Sequence, residues 1–133
     1  MSIKKNIQLI EQLIKEDNEK YTKDSMFKPP KAAQNNAKKA QDYKEKYGDE
    51  VKGGTRVGWT RAEQLASGDE VSYDIVKRMS QFARHRKNAE ISDKHKGEPW
   101  KDNGYIAWLI WGGNEGVDWA QRMVDKVENN QDN

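Results

Sequence analysis

Tyr105-Ile106-Ala107-Trp108-Leu109-Ile110-Trp111, closed by Gly112-Gly113, is the most apolar stretch of a chain otherwise dominated by charge. It is far too short to span a membrane, and periodicity alone does not separate a buried helix from a buried strand in a run of this length. The reading adopted is a buried central helix, with a strand left open.

Working outward toward the C-terminus, Asn114 is placed to cap a last helix whose inner face is Val117, Ala120, Met123, Val124 and Val127. The tail from Glu128 onward is expected to fray. Toward the N-terminus, residues 88–103 hold Gly97, Pro99 and many polar side chains, and read as a long loop anchored by Trp100. Ser72 opens the clearest helix of the chain. Val71 and Val76 are spaced as a hydrophobic staple, and Ile75, Val76, Met79, Phe82 and Ala83 recur at core spacing.

Farther upstream, Thr60-Arg61-Ala62-Glu63 has capping-box spacing, predicting a helix of about two turns that stops near Gly68. The preceding Gly53-Gly54-Thr55-Arg56-Val57-Gly58 is too rich in glycine for a regular element and reads as a tight loop. Ala32, Ala33, Ala37, Ala40, Tyr43 and Tyr47 lie along one helical face, with Pro30 in the first turn and Gly48 at the stop. Pro29-Pro30 ends a mixed stretch, Tyr21 to Lys28, that reads as a linker. Before it, Ile3, Ile7, Ile10 and Ile14, widened by Leu9 and Leu13, form an amphipathic stripe on a helix from about Ser2 to Lys20.

At 133 residues the chain is one domain at most, and a mean hydropathy of −1.19 would point to disorder were it not for five Trp and five Tyr, which can bury large areas. The architecture expected is all-α: a compact bundle of four or five short helices over residues 27–128, preceded by an extra N-terminal amphipathic helix and linker over 1–26 and followed by a disordered tail over 129–133. With no Cys there is no disulfide, thiolate zinc site or cysteine nucleophile. No apolar run is long enough to cross a membrane, and the charged start leads into an amphipathic run, so a soluble, non-exported protein with no membrane partner is expected.

Twenty-four basic residues against 22 acidic ones give a net charge of only +2, so bulk attraction to nucleic acid is excluded and any basic patch must be local. Charge is nevertheless uneven. Residues 51–100 hold 10 basic and 7 acidic side chains, and residues 101–133 hold 3 and 6. The local patch is Lys77, Arg78, Arg84, His85, Arg86 and Lys87, with no Asp or Glu between Ile75 and Ala89. On a helix whose other face is Ile75, Met79 and Phe82, these cations could meet phosphates. A solvated helix end, with arginines paired to the acidic C-terminal third, is the simpler reading.

The remaining constellations are weaker. Gly53 to Gly58 lacks P-loop spacing and follows no apolar strand, and Gly112-Gly113-Asn114-Glu115-Gly116 reads as an inter-helix turn rather than an anion site. His85 and His95, with Glu90, Asp93 and Glu98 nearby, match no metal-ligand spacing, so no metal and no cofactor are expected. Isolated carboxylate pairs such as Asp69 with Glu70 read as solvated, which points away from an enzyme. Trp100, Trp108, Trp111 and Trp119 could stack on a base, but their apolar setting favours core packing.

One chain of motifs goes further. Phe27-Lys28-Pro29-Pro30, Gly53-Gly54-Thr55 with Val57-Gly58, Arg61-Ala62 with Leu65 and Gly68, Arg78-Met79 with Phe82 and Arg84-His85, Gly104 with Ile106-Ala107-Trp108, Trp111-Gly112-Gly113 and Trp119-Ala120 together resemble a module of unknown function encoded by tailed bacteriophages and prophages, often near head-assembly genes. The resemblance covers about Phe27 to Met123. It departs from the module where Arg86 and Lys87 follow His85, a place commonly taken by an acidic residue. It carries over no catalytic residue. What it implies is a non-enzymatic, phage-encoded interaction protein, an accessory of head or virion assembly residing in the host cytoplasm or the virion. Its partner would be a phage structural or host protein, or a second copy, held by the stripe Ile3, Ile7, Ile10 and Ile14. The alternative is a nucleic-acid-binding module using Lys77, Arg78, Arg84, Arg86 and Lys87.

Overall fold

Asp102 sets the start of the central helix. Its carboxylate accepts the backbone N–H of Tyr105 at 3.0 Å and that of Ser92 at 2.8 Å, so one side chain caps the helix and ties down the preceding loop. The apolar stretch is therefore helical. In the computed structural model, which describes residues 21–131, it forms part of Asn103–Ile110. The element order is β1 (Met26–Phe27), α1 (Lys31–Tyr47), α2 (Arg56–Ala66), β2 (Val71–Ser72), α3 (Tyr73–Gln81), α4 (Asn103–Ile110) and α5 (Gly113–Gln131), with 3-10 turns between them. Among the described residues the fold is all-α apart from one two-residue antiparallel pairing, Met26 with Ser72 and Phe27 with Val71.

Helix α4 is buried on nearly all sides because it is enclosed by α1, α2, α5 and the 3-10 segment Phe82–Ala89. Tyr105, Ile106, Trp108, Leu109 and Ile110 are all core residues. The close approach of α1 follows from small side chains. Ala33, Ala37 and Ala40 are fully buried, and Ala33 faces the turn at Gly112 and Gly113, whose φ values of 102° and 66° are open to glycine at little cost. A Cβ on Gly112 would lie 2.9 Å from the Gly116 Cα, so the turn is packed backbone to backbone. Gln34, also buried on α1, lies against Gly68 and donates from Nε2 to the Pro29 carbonyl at 2.9 Å.

Several expectations are corrected. Helix α2 begins at Arg56, not Thr60, because Thr55 caps it by accepting the Gly58 N–H at 3.0 Å; Thr60 lies inside, its hydroxyl donating to the Arg56 carbonyl. Gly53 and Gly54, at φ 92° and 78°, remain in the loop. Helix α5 begins at Gly113, so Asn114 is no cap, and its Oδ1 accepts the Trp108 indole N–H at 3.0 Å. The helix continues to Gln131, past the expected start of the tail, and Asn130 donates to the Tyr21 carbonyl at 2.8 Å.

Tyr21 to Lys28 is not a free linker. Tyr21 stacks on the fully buried Phe27 with ring centroids 5.2 Å apart, and Phe27 in turn meets Tyr73. Ala32 is exposed, whereas Tyr43 and Tyr47 lean on Trp100; the Tyr47 and Trp100 rings are 3.7 Å apart and parallel. That stack anchors the segment before α4.

Candidate functional site

Ser72 accepts the Ile75 N–H and starts α3, with Val71 and Val76 buried on either side of the cap as a staple. The α-helix then stops at Gln81. Residues Phe82–Ala89 wind as a 3-10 segment with a kink at His85, so the basic run does not share one helical face. This change of winding splits the cations into separate sites.

Arg86 turns toward α5, where its Nη2 pairs with Asp118 at 2.7 Å and its guanidinium lies 5.6 Å from the centroid of the Trp108 ring. It joins two parts of the fold, which realises the pairing with the acidic C-terminal third. Lys77 lies 5.8 Å from the Tyr73 ring centroid. Lys87 is exposed and lines none of the clefts described below. Arg84 donates from Nε to His85 Nε2 at 3.1 Å, and His85 meets Phe82 edge-on.

Arg78 and Arg84 both line one cleft of about 590 Å³ between the Gly54-Thr55 loop with the first turn of α2, the end of α3, and α4. Its floor is Phe82, Ala107, Ile110 and Trp111, with Phe82 and Trp111 stacked at 4.9 Å, and Val57, half exposed, stands at the rim. Thr55 is also at the rim, but its hydroxyl oxygen already accepts the α2 cap bond. A second cleft of about 540 Å³ adjoins it, sharing Arg78 and Gln81 and adding Arg61, Lys77, Ile75 and Asp74. Arg61 donates from Nη1 to Gln64 at 2.7 Å, while its buried Nε has no acceptor.

The cleft is held open by the backbone on one side. Gly54 is pressed so closely on Trp59 and Ile110 that a Cβ there would lie 2.6 Å from Trp59 Nε1. The loop therefore sits low and leaves Ile110 and Trp111 as the floor. Trp108, Trp111 and Trp119 are otherwise core residues, as their apolar setting implied.

A different polar site surrounds Asp102. Burial pushes its carboxyl pKa upward, but the Ser92 and Tyr105 backbone N–H groups, the Ser92 hydroxyl and the nearby His95 outweigh it and hold the carboxyl below its ordinary value. Lys52, His95 and Lys101 share this shallow cleft. Among the described residues, no group of three or more His, Cys, Asp or Glu side chains is placed to hold a metal ion, and no helix is long and apolar enough to cross a membrane.

Of the residues singled out in the sequence, Arg78 and Arg84 come together, Lys77 lies beside them, and Arg86 and Lys87 do not join. Ile3, Ile7, Ile10 and Ile14 lie outside the described residues. Arg61, Gln81, Val57 and Ile110 were not readable as site residues: Arg61 and Val57 reach the clefts from α2, Gln81 from α3 and Ile110 from α4, and no spacing links them. No family model matches the chain, and neither a curated protein nor a solved structure shows significant similarity to it.

Proposed function

We propose that the chain is a non-enzymatic protein-interaction module, of the accessory kind that the phage-module resemblance implies in head or virion assembly, working in the host cytoplasm or the virion. The observation that carries this reading is the cleft between Arg78 and Arg84. It offers rings and aliphatic carbon for burial, and guanidinium groups for orientation. These are groups that hold a partner. Its one hydroxyl oxygen is already engaged in a helix cap. Eight of its ten lining residues, Gly54, Thr55, Val57, Arg78, Phe82, Arg84, Ala107 and Trp111, also belong to the motif chain that carries the resemblance.

The isoleucine stripe at Ile3, Ile7, Ile10 and Ile14 supplies a second contact in this proposal, toward the same partner or a second copy. The structure refines the test of that contact. Because Tyr21 packs on Phe27 and accepts from Asn130, a truncation should remove residues 2–20 and spare Tyr21. The full chain, the truncated chain and an Arg78→Ala/Arg84→Ala variant are compared by light scattering and by pull-down with identification of the captured protein. Loss of self-association or of one defined partner in either variant, with the helical spectrum unchanged, supports the module. An identical profile for all three removes it. Titration with labelled DNA and RNA at low and high salt tests the nucleic-acid alternative, which requires salt-sensitive binding through Lys77, Arg78 and Arg84.

A further inference from the structure

We infer that the two adjoining clefts form one furrow that binds an acidic protein segment carrying a bulky apolar anchor residue: the anchor packs on Phe82, Ala107 and Val57 over Trp111, and flanking carboxylates pair with Arg84, Arg78 and Arg61. The inference rests on the interaction-module reading and names the chemistry of its partner.

Charge complementarity is the first argument. Among the described residues, the joined furrow is lined by four cations, Arg61, Lys77, Arg78 and Arg84, against the single carboxylate of Asp74. None of those four cations belongs to an ion pair among the described residues, whereas Arg86 in the same run is paired with Asp118. Unpaired guanidinium groups beside an apolar surface gain most from a ligand that supplies carboxylates while its own apolar group expels the water between them. Arg61 lines the second cleft with one Nη held by Gln64 and its Nε buried, so a carboxylate reaches it at the outer end of the guanidinium.

The floor decides between a peptide and a polynucleotide. Sequence-tolerant binding of single strands uses ring faces open to bases. Here Trp111 is only 8% exposed, and one face of Phe82 is covered by Trp111 at 4.9 Å. The accessible apolar surface comes from Val57, Phe82 and Ala107, with fully buried Ile110 behind them, a shape suited to Leu, Met or Phe.

The test pans a random peptide library against the immobilised full chain, then measures the synthetic consensus peptide by fluorescence anisotropy. The expected consensus places Asp or Glu on both sides of one large apolar residue. Its affinity should fall about tenfold or more with Arg78→Ala/Arg84→Ala, and similarly with Val57→Glu, a change at an exposed rim position that leaves the core untouched. Replacing the anchor by Ser should weaken binding as much, and raised salt should weaken it further. A consensus without carboxylates, no consensus, or affinity indifferent to the arginine changes overturns the inference. So does salt-sensitive binding of an oligothymidylate probe that the same variants abolish, or a concentration-dependent dimer that they dissolve. Partner capture lost on deletion of residues 2–20 but kept in the arginine variant would sink this inference while leaving the interaction module standing.

Discussion

Just beyond Trp111 the chain turns at Gly112 and Gly113 against Ala33 and Asn36, with backbone almost touching backbone. The Trp111 indole itself stacks on Phe82 at the floor of a cleft rimmed by Arg78 and Arg84. The two regions lie within three residues of each other on one connection, yet one admits no added atom and the other leaves about 590 Å³ open. Glycine and alanine make the first, because small residues let helices close until nothing fits between them. Long cations make the second, since their charged heads stay in water and resist closure. The seam should therefore control stability, and the cleft should control binding.

The largest expected effect tests that separation directly. Gly112→Ala forces a Cβ onto the Gly116 backbone at a φ of 102°, combining backbone strain with overpacking, and should destabilise the fold by about 3 kcal/mol in urea titration. A loss below about 1 kcal/mol would show that the seam yields, and the comparison would break. Phe82→Ala removes a half-buried ring from between cleft and core, and should cost about 2 kcal/mol while also weakening binding of an acidic peptide. It is the one substitution expected to register on both sides.

Asp102→Asn should cost about 1 kcal/mol near neutral pH, because the amide replaces a charged acceptor of two backbone N–H groups. The pH dependence has a defined sign. The folded carboxyl titrates below its ordinary value, so its stabilisation is complete above the unfolded pKa near about 3.9 and disappears as pH falls through the folded one. The gap between wild type and Asp102→Asn should narrow below pH about 4 in denaturation curves. A gap constant down to strong acid would refute the cap's ionic character.

Arg86→Ala should cost less than about 1 kcal/mol, since the Asp118 pair is nearly half exposed on both sides and the Trp108 contact is a modest addition. Arg78→Ala and Arg84→Ala should each change stability by at most about 0.5 kcal/mol, because both are exposed and neither belongs to an ion pair among the described residues. If thermal unfolding shows a large loss for these two, their side chains hold the fold together and the cleft is a structural joint.

Much of the fold was legible because it rests on local rules. The helix opened by Ser72, the valine staple beside it, the stop at Gly48 and the alanine face of α1 all follow from caps and spacing within one or two turns. Misreadings arose where a competing local signal was equally good. Thr60 with Glu63 spelled a capping box, but Thr55 already satisfied the first turn, so the box lies inside the helix. Asn114 had the chemistry of a cap and instead serves the Trp108 indole. The pairing of Phe27 with Val71 left no trace in either two-residue segment, since its partners are far apart in the chain.

The site was less legible than the fold. Arg78 and Arg84 stood out by charge, but charge could not separate them from Arg86, which past the kink at His85 faces Asp118 and Trp108 instead. What the sequence determined by itself is the helical, single-core character of the protein, because hydrophobic period, caps and breakers act over a few residues and need no distant partner. Only the tertiary structure decided which arginines remain unpaired and which rings floor a cleft. Those outcomes depend on where a kink at His85 and a glycine loop from another part of the chain come to rest, and no local rule encodes that meeting.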